Sequence, residues 1–114
     1  MMIETIVLTA LSNQLPVPIY MEAPEQKPAS YVVLQKTGSR RVNRLDSATF
    51  AVQSVAETLY DAASLNELVK AVMDHLPYLT EAVFSSALDS DYNFTDTDTK
   101  QRRYQAVYII TYKE

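Results

Sequence analysis

The chain has no cysteine, no tryptophan, one histidine and one glycine among its 114 residues. Each absence removes a class of chemistry. Without cysteine there is no disulfide, thiolate nucleophile or Cys-ligated zinc, a composition that suits a reducing compartment. One glycine, Gly38, cannot build a phosphate cradle, since P-loop and dinucleotide motifs need several glycines to bring backbone N–H groups to a ligand. Long apolar runs are missing as well. The opening stretch Met1–Leu11 lacks a basic region and is broken by Glu4 and Thr5, which argues against a signal peptide, and nothing later approaches a membrane-spanning length. Positive charge is in the minority: the net charge is −4 and the isoelectric point about 4.9. That balance disfavours tight binding to nucleic acid, which relies on clustered lysine and arginine.

What remains is a sequence with 47% hydrophobic residues and a length that fits one domain. Ile3, Ile6, Val7, Ala10 and Leu11 repeat at helical spacing, and Asn13 and Pro16 end that helix. Residues 16–28 hold four of the five prolines around a short extended piece, Val17–Met21, which reads as a connector or edge strand. Residues 30–37 are β-branched and aromatic, hence a strand, and Gly38 then reads as a turn that opens a basic loop over 38–45. Residues 48–57 are assigned to a second strand, with a helix starting at Ser47 as the alternative. Leu65, Leu68, Val69, Val72, Met73 and Leu76 mark a second helix, stopped at Pro77. Residues 81–92 and 102–113 read as long strands flanking an acidic loop. In the last strand both alternating faces are largely apolar, so it is expected in the middle of a sheet. The order α-β-β-α-β-β predicts a single α+β domain over residues 1–114, a mostly antiparallel sheet with helices packed on it.

Few residues offer chemistry. Asp89, Asp91 and Asn93 occupy positions 1, 3 and 5 of a calcium-binding loop, but Phe94 stands where the loop needs glycine and Lys100 where it needs a chelating glutamate. No functional metal is expected there. His75 has only Asp74 beside it, and adjacent helical residues do not face each other, so they make no dyad. A serine–histidine arrangement assembled by the fold has no nucleophile-elbow glycines behind it. No catalytic residue and no cofactor is expected. Arg40, Arg41 and Arg44 form the one basic cluster, readable as a soluble loop, a protein interface or a small-anion site. The eight tyrosines suit sheet positions with hydroxyls at the rim, and tyrosine also favours interfaces.

Residues 30–76 followed by the 91–112 stretch, with its "DYNF" ahead of "RRYQAVY", resemble the tail-terminator proteins of long-tailed bacteriophages, also called tail completion or tail-to-head joining proteins. The likeness spans roughly residues 28–113 and includes no catalytic motif. The resemblance implies a structural virion protein, not an enzyme. It implies a ring, commonly of six subunits, that caps the tail tube, stops its polymerisation and meets the head connector. Genome DNA would pass through the channel without specific binding. The protein would sit in the virion neck, and in the host cytoplasm during assembly, with no membrane partner. A head-completion or other neck protein is the nearest alternative. A small dimeric α+β enzyme or ligand sensor, with His75 and Arg40/Arg41 in a cleft, is the reading from another class. Loop chemistry nominates the interface residues: Arg40, Arg41 and Arg44 on one hairpin, and Asp89, Asp91, Asp96, Asp98, Arg102 and Arg103 around the other. These would be hairpin ends of opposite charge, one subunit's acidic tip facing the next subunit's arginine loop.

Overall fold

The fold was described from a computed structural model, over residues 2–113. In chain order its elements are α1 (Ile3–Gln14), β1 (Ile19–Tyr20), β2 (Tyr31–Val42), β3 (Leu45–Ala56), α2 (Leu59–Asp74), α3 (Leu76–Leu79), β4 (Val83–Asn93) and β5 (Arg102–Tyr112). The five strands form one sheet in the order β1-β2-β3-β5-β4. β1 runs parallel to β2 and every other pairing is antiparallel. The domain is α+β, and β5 lies between two partners, as its apolar faces predict. The alternative of a helix beginning at Ser47 fails, because that segment is β3, hydrogen-bonded on both sides.

The helices form for local reasons. α1 buries Ile3, Val7 and Leu11 along one stripe, and it ends where the Leu15 N–H bonds the Leu11 carbonyl just before Pro16. α2 begins six residues ahead of its first expected apolar position, because the Thr58 side chain accepts from the Asp61 N–H and caps it. Its buried stripe is Ala62, Leu65, Asn66, Val69 and Met73, while Leu68 stays half in solvent. Pro77 does not stop this helix. It sits in the first turn of α3, where a missing N–H costs nothing.

Both long helices pack on one face of the sheet. Ile3, Val7 and Leu11 of α1 and Leu65, Val69 and Met73 of α2 share a core with Val32, Leu34, Phe50, Val52, Ala106, Tyr108 and Ile110. At about 25 cal/mol per Å² of apolar surface, this shared core is the main source of stability. Its largest member is Tyr108. The hydroxyl donates to Asp74 Oδ1 at 2.7 Å and lies 3.3 Å from the Lys70 carbonyl, stitching β5 to α2. Burial pushes its pKa well above the ordinary tyrosine value, and Asp74 adds to the shift.

The basic loop expected over 38–45 is not a loop. β2 continues through Gly38 to Val42, and its register with β3 shifts between Lys36 and Gly38. Gly38 therefore marks a bulge inside the strand, not a turn. The reversal comes at Asn43 and Arg44, both at positive φ (52° and 68°), in a two-residue loop between the paired Val42 and Leu45. Asparagine tolerates this conformation, which explains Asn43, but an arginine there is strained.

Two stability changes follow from this geometry. Tyr108→Phe should lower unfolding free energy by about 1.5–3 kcal/mol, the scale for losing a hydrogen bond to a charged group. Arg44→Gly should raise it by about 1 kcal/mol, by relieving a left-handed residue. Both are readable by chemical denaturation, and a neutral result would remove the corresponding argument.

Candidate functional site

β3 pairs β5 from Asp46↔Tyr112 to Ala56↔Arg102, ten steps along the strand. At about 3.3 Å per step the two hairpin ends are roughly 33 Å apart, and the molecule measures 43 Å along its longest axis. The β2–β3 turn and the β4–β5 loop are thus opposite poles of one sheet.

The first pole is basic. Arg41 faces Asp46 across the hairpin and donates to both carboxylate oxygens, at 2.5 and 3.2 Å. The guanidinium holds the Asp46 carboxyl below its ordinary pKa. Arg41 is therefore committed to its own hairpin. Arg40 and Arg44 have no side-chain ion pair or hydrogen bond among the described residues, and both are exposed. Lys113, over the Phe84 ring at 5.8 Å, adds a fourth cation at this end.

The second pole differs from the tip that loop chemistry suggested. Asp89 and Asp91 lie within β4, not in a loop. Asp91 turns toward α2, accepting from Lys70 Nζ at 2.9 Å and Asn66 Nδ2 at 3.0 Å. The Lys70 hydrogen bond lowers the Asp91 pKa, and Asp91 in turn raises that of Lys70. Asp96 serves its own loop. Its Oδ1 accepts from the Asp98 and Thr99 N–H groups, which depress its pKa. Arg103 donates from Nε to the Phe94 carbonyl at 2.8 Å, lies over the Phe94 ring, and reaches Asp96 at 3.8 Å. Asp89, Asp98 and Arg102 remain without side-chain partners among the described residues. With Lys100 and two arginines beside four aspartates, this pole is nearly balanced in charge. Among the described residues, the excess of positive charge lies at the arginine pole.

Among the described residues, the side chains that the sequence offered for chemistry do not come together. His75 caps the end of α2, with Nδ1 2.9 Å from the Ala71 carbonyl. Asp74 is turned to Tyr108, so the two neighbours point to different partners. The clefts lined by Arg40 and Arg41 contain no histidine. One of about 400 Å³ is framed by Gly38, Ser39, Arg40, Val42, Ser47, Thr49 and Ile109 and opens widely to solvent. Asn93 lies at the end of β4 and its Oδ1 accepts from Thr95, so the calcium-like spacing is drawn out along a strand instead of wrapped into a loop.

The sheet face away from the helices carries a feature that the sequence reading missed. Gln53, Gln105 and Tyr92 sit in one row across β3, β5 and β4. Gln53 donates to Gln105 at 3.0 Å, and Gln105 donates to the Tyr92 hydroxyl at 2.6 Å. Gln101 donates to the Tyr31 hydroxyl at 2.7 Å, next to the Tyr20–Tyr31 edge-to-face pair. No local pattern announces such a network, since its members come from distant strands.

The chain matches no protein-family model, and no curated protein matches it in sequence. No helix among the described residues is long and apolar enough to cross a membrane.

The Lys70–Asp91 pair implies a pH dependence. A depressed carboxylate pKa stabilises the fold above the unfolded value near pH 4, and that contribution is lost as pH falls through the lower folded value. Thermal denaturation of the native protein should therefore show a loss of stability below about pH 4 that shrinks in Asp91→Asn. Identical acid profiles for the two proteins would contradict the assignment.

Proposed function

We propose that this protein is a structural component of a bacteriophage neck, a tail terminator that forms a ring on the head-proximal end of the tail tube and joins it to the head connector. The observation that supports this most is the division of exposed groups between two poles of a rigid sheet, with no catalytic arrangement between them. A joining protein needs two separate docking ends on one body. Two clusters roughly 33 Å apart provide that geometry if the strands run along the ring axis, with arginine poles on one rim and the Asp98 loops on the other. The two hairpin ends would then meet different partners, not each other.

Charge would act through repetition. One exposed ion pair contributes only about 0–1 kcal/mol, but a ring presents the same arginines once per subunit, and linked weak contacts add through avidity. Complementary charge would also steer docking and reject wrong partners. An acidic subunit suits the wall of a DNA channel, because it repels phosphates instead of trapping them.

The test uses the purified protein with tail tubes assembled from the tube protein of the same genome, viewed by electron microscopy. The expected result is a ring at one tube end and tubes of arrested length. Arg40→Glu combined with Arg44→Glu should weaken docking at one rim, and raising salt to 1 M, where the screening length is about 3 Å, should do the same to the native protein. Asp98→Lys should affect only the opposite rim. A single copy at the tube end, or tubes that keep growing in the protein's presence, would overturn the proposal.

A further inference from the structure

The sheet leaves two edges open, and their positions are specific. β1 covers β2 only at Val32 and Val33, where it pairs through Ile19 and Tyr20. From Leu34 to Val42 no strand among the described residues covers the outer side of β2. At the other end of the sheet, the outer edge of β4 has no partner strand among the described residues. An exposed edge is a row of unpaired N–H and C=O groups, and proteins ordinarily blunt it with charge, proline or bulges. β4 divides in this respect. Its second half carries Asp89 and Asp91, and a register shift between Leu88 and Ser90 bends the strand before them. Its first half, Val83–Leu88, has no charged residue and no proline, and it exposes Phe84 and Leu88.

The open β2 stretch, which carries Arg40 and Arg41, and the uncharged first half of β4 lie at one level of the sheet. Gly38 pairs Thr49, Thr49 pairs Ile109, and Ile109 pairs Ala87, giving one row across four strands. The next rows run from Ser39 through Ala48 and Ile110 to Ser86, and from Arg40 through Ser47 and Thr111 to Ser85. The β2 register shift, between Lys36 and Gly38, and the β4 shift between Leu88 and Ser90 flank one row, Lys36–Phe50–Tyr108–Leu88. Above that row β4 pairs regularly from Leu88 back to Ser85, where a second shift, between Val83 and Ser85, ends the regular stretch. Below that row, β1 occupies one edge and the aspartates occupy the other. Direction agrees too: β4 runs opposite to β2 within the chain, so a neighbour in the same orientation presents its β2 antiparallel to this β4.

We infer that the Gly38–Arg40 edge of β2 pairs, antiparallel and in flush register, with the Ser85–Ala87 edge of β4 in a second copy of this chain. The occupant is a second copy because the two edges match in length, level and direction. The contact is head-to-tail, using different surfaces on the two partners, so it propagates. Flush register gives each added copy no axial step, as a closed ring requires. Strand augmentation supplies main-chain hydrogen bonds. This deepens the ring reading above and rests on it only for the use of one contact by every subunit.

The absence of cysteine makes the test clean. Gly38→Cys is tolerated, since a Cβ there meets no atom within 4 Å, and Ala87→Cys replaces a small exposed residue. Within one chain these positions are three strand spacings apart, roughly 14 Å, beyond disulfide reach. The two single variants, one enlarged by a tag, are mixed at high concentration, oxidised and separated on a non-reducing gel. A 38–87 heterodimer in roughly tenfold excess over either homodimer is expected, because only partners held side by side have a high effective concentration. The variant carrying both cysteines should give a ladder ending in one closed species. Heterodimer at no more than the statistical proportion overturns the edge pairing. Tubes capped by a ring without this crosslink would reject the pairing and keep the proposed function, whereas the crosslink without capping would reject the function and keep the pairing.

Discussion

Two long helices cover one face of a five-stranded sheet, and most of the molecule is arranged around that imbalance. The helix-side face is sealed by a continuous apolar core from Val32 to Ile110, in which Tyr108 and Phe50 are the largest fully buried side chains. Tyr108 also answers the difficulty of placing a hydroxyl there, because Asp74 and the Lys70 carbonyl reach it from α2. An unpaired hydroxyl at that depth would be costly to bury. The sheet and α2 are thus held by packing and by one satisfied polar contact at the same point.

The other face has no helix and is stabilised differently. Gln53, Gln105 and Tyr92 satisfy one another across three strands, and Gln101 closes over Tyr31. These contacts limit how much polar surface is left without partners, yet Ile109 at 42% exposure remains open on that side. The β2–β3 hairpin projects past the helices, so its side chains are exposed from Gln35 to Leu45. Within it Lys36 pairs with Glu4 of α1 and Arg41 with Asp46, while Arg40 and Arg44 make no ion pair among the described residues. The hairpin's arginine pole and its open strand edge are the parts that a neighbour can use without disturbing the fold.

Charge follows the same division. Carboxylates close to the body are occupied: Asp91 by Lys70 and Asn66, Asp46 by Arg41, and Asp96 by backbone N–H groups of its own loop. Arg40 and Arg44 have no ion pair among the described residues, and the nearby Asp46 is held by Arg41. The pole that the sequence suggested as acidic is tempered by Lys100, Arg102 and Arg103. Residue spacing showed four aspartates together, but only the pairing across β4 and α2 revealed that one of them was spent in the fold.

The sequence by itself determined the α+β class, the helical stripe of Ile3, Val7 and Leu11, and the central position of β5. Each of these rests on periodicity, which a local pattern carries completely. It misplaced the reversal at Gly38 because glycine signals both turns and bulges, and only pairing with β3 tells them apart. It placed Pro77 at a helix end without showing that the same residue opens α3. Tertiary structure alone decided which face the helices cover, which strand edges stay open, and which charged residues find partners inside the chain. The physical reason is that burial and ion pairing depend on distance in space: Asp91 and Lys70 are 21 residues apart in sequence, and no property of either residue alone specifies that they meet.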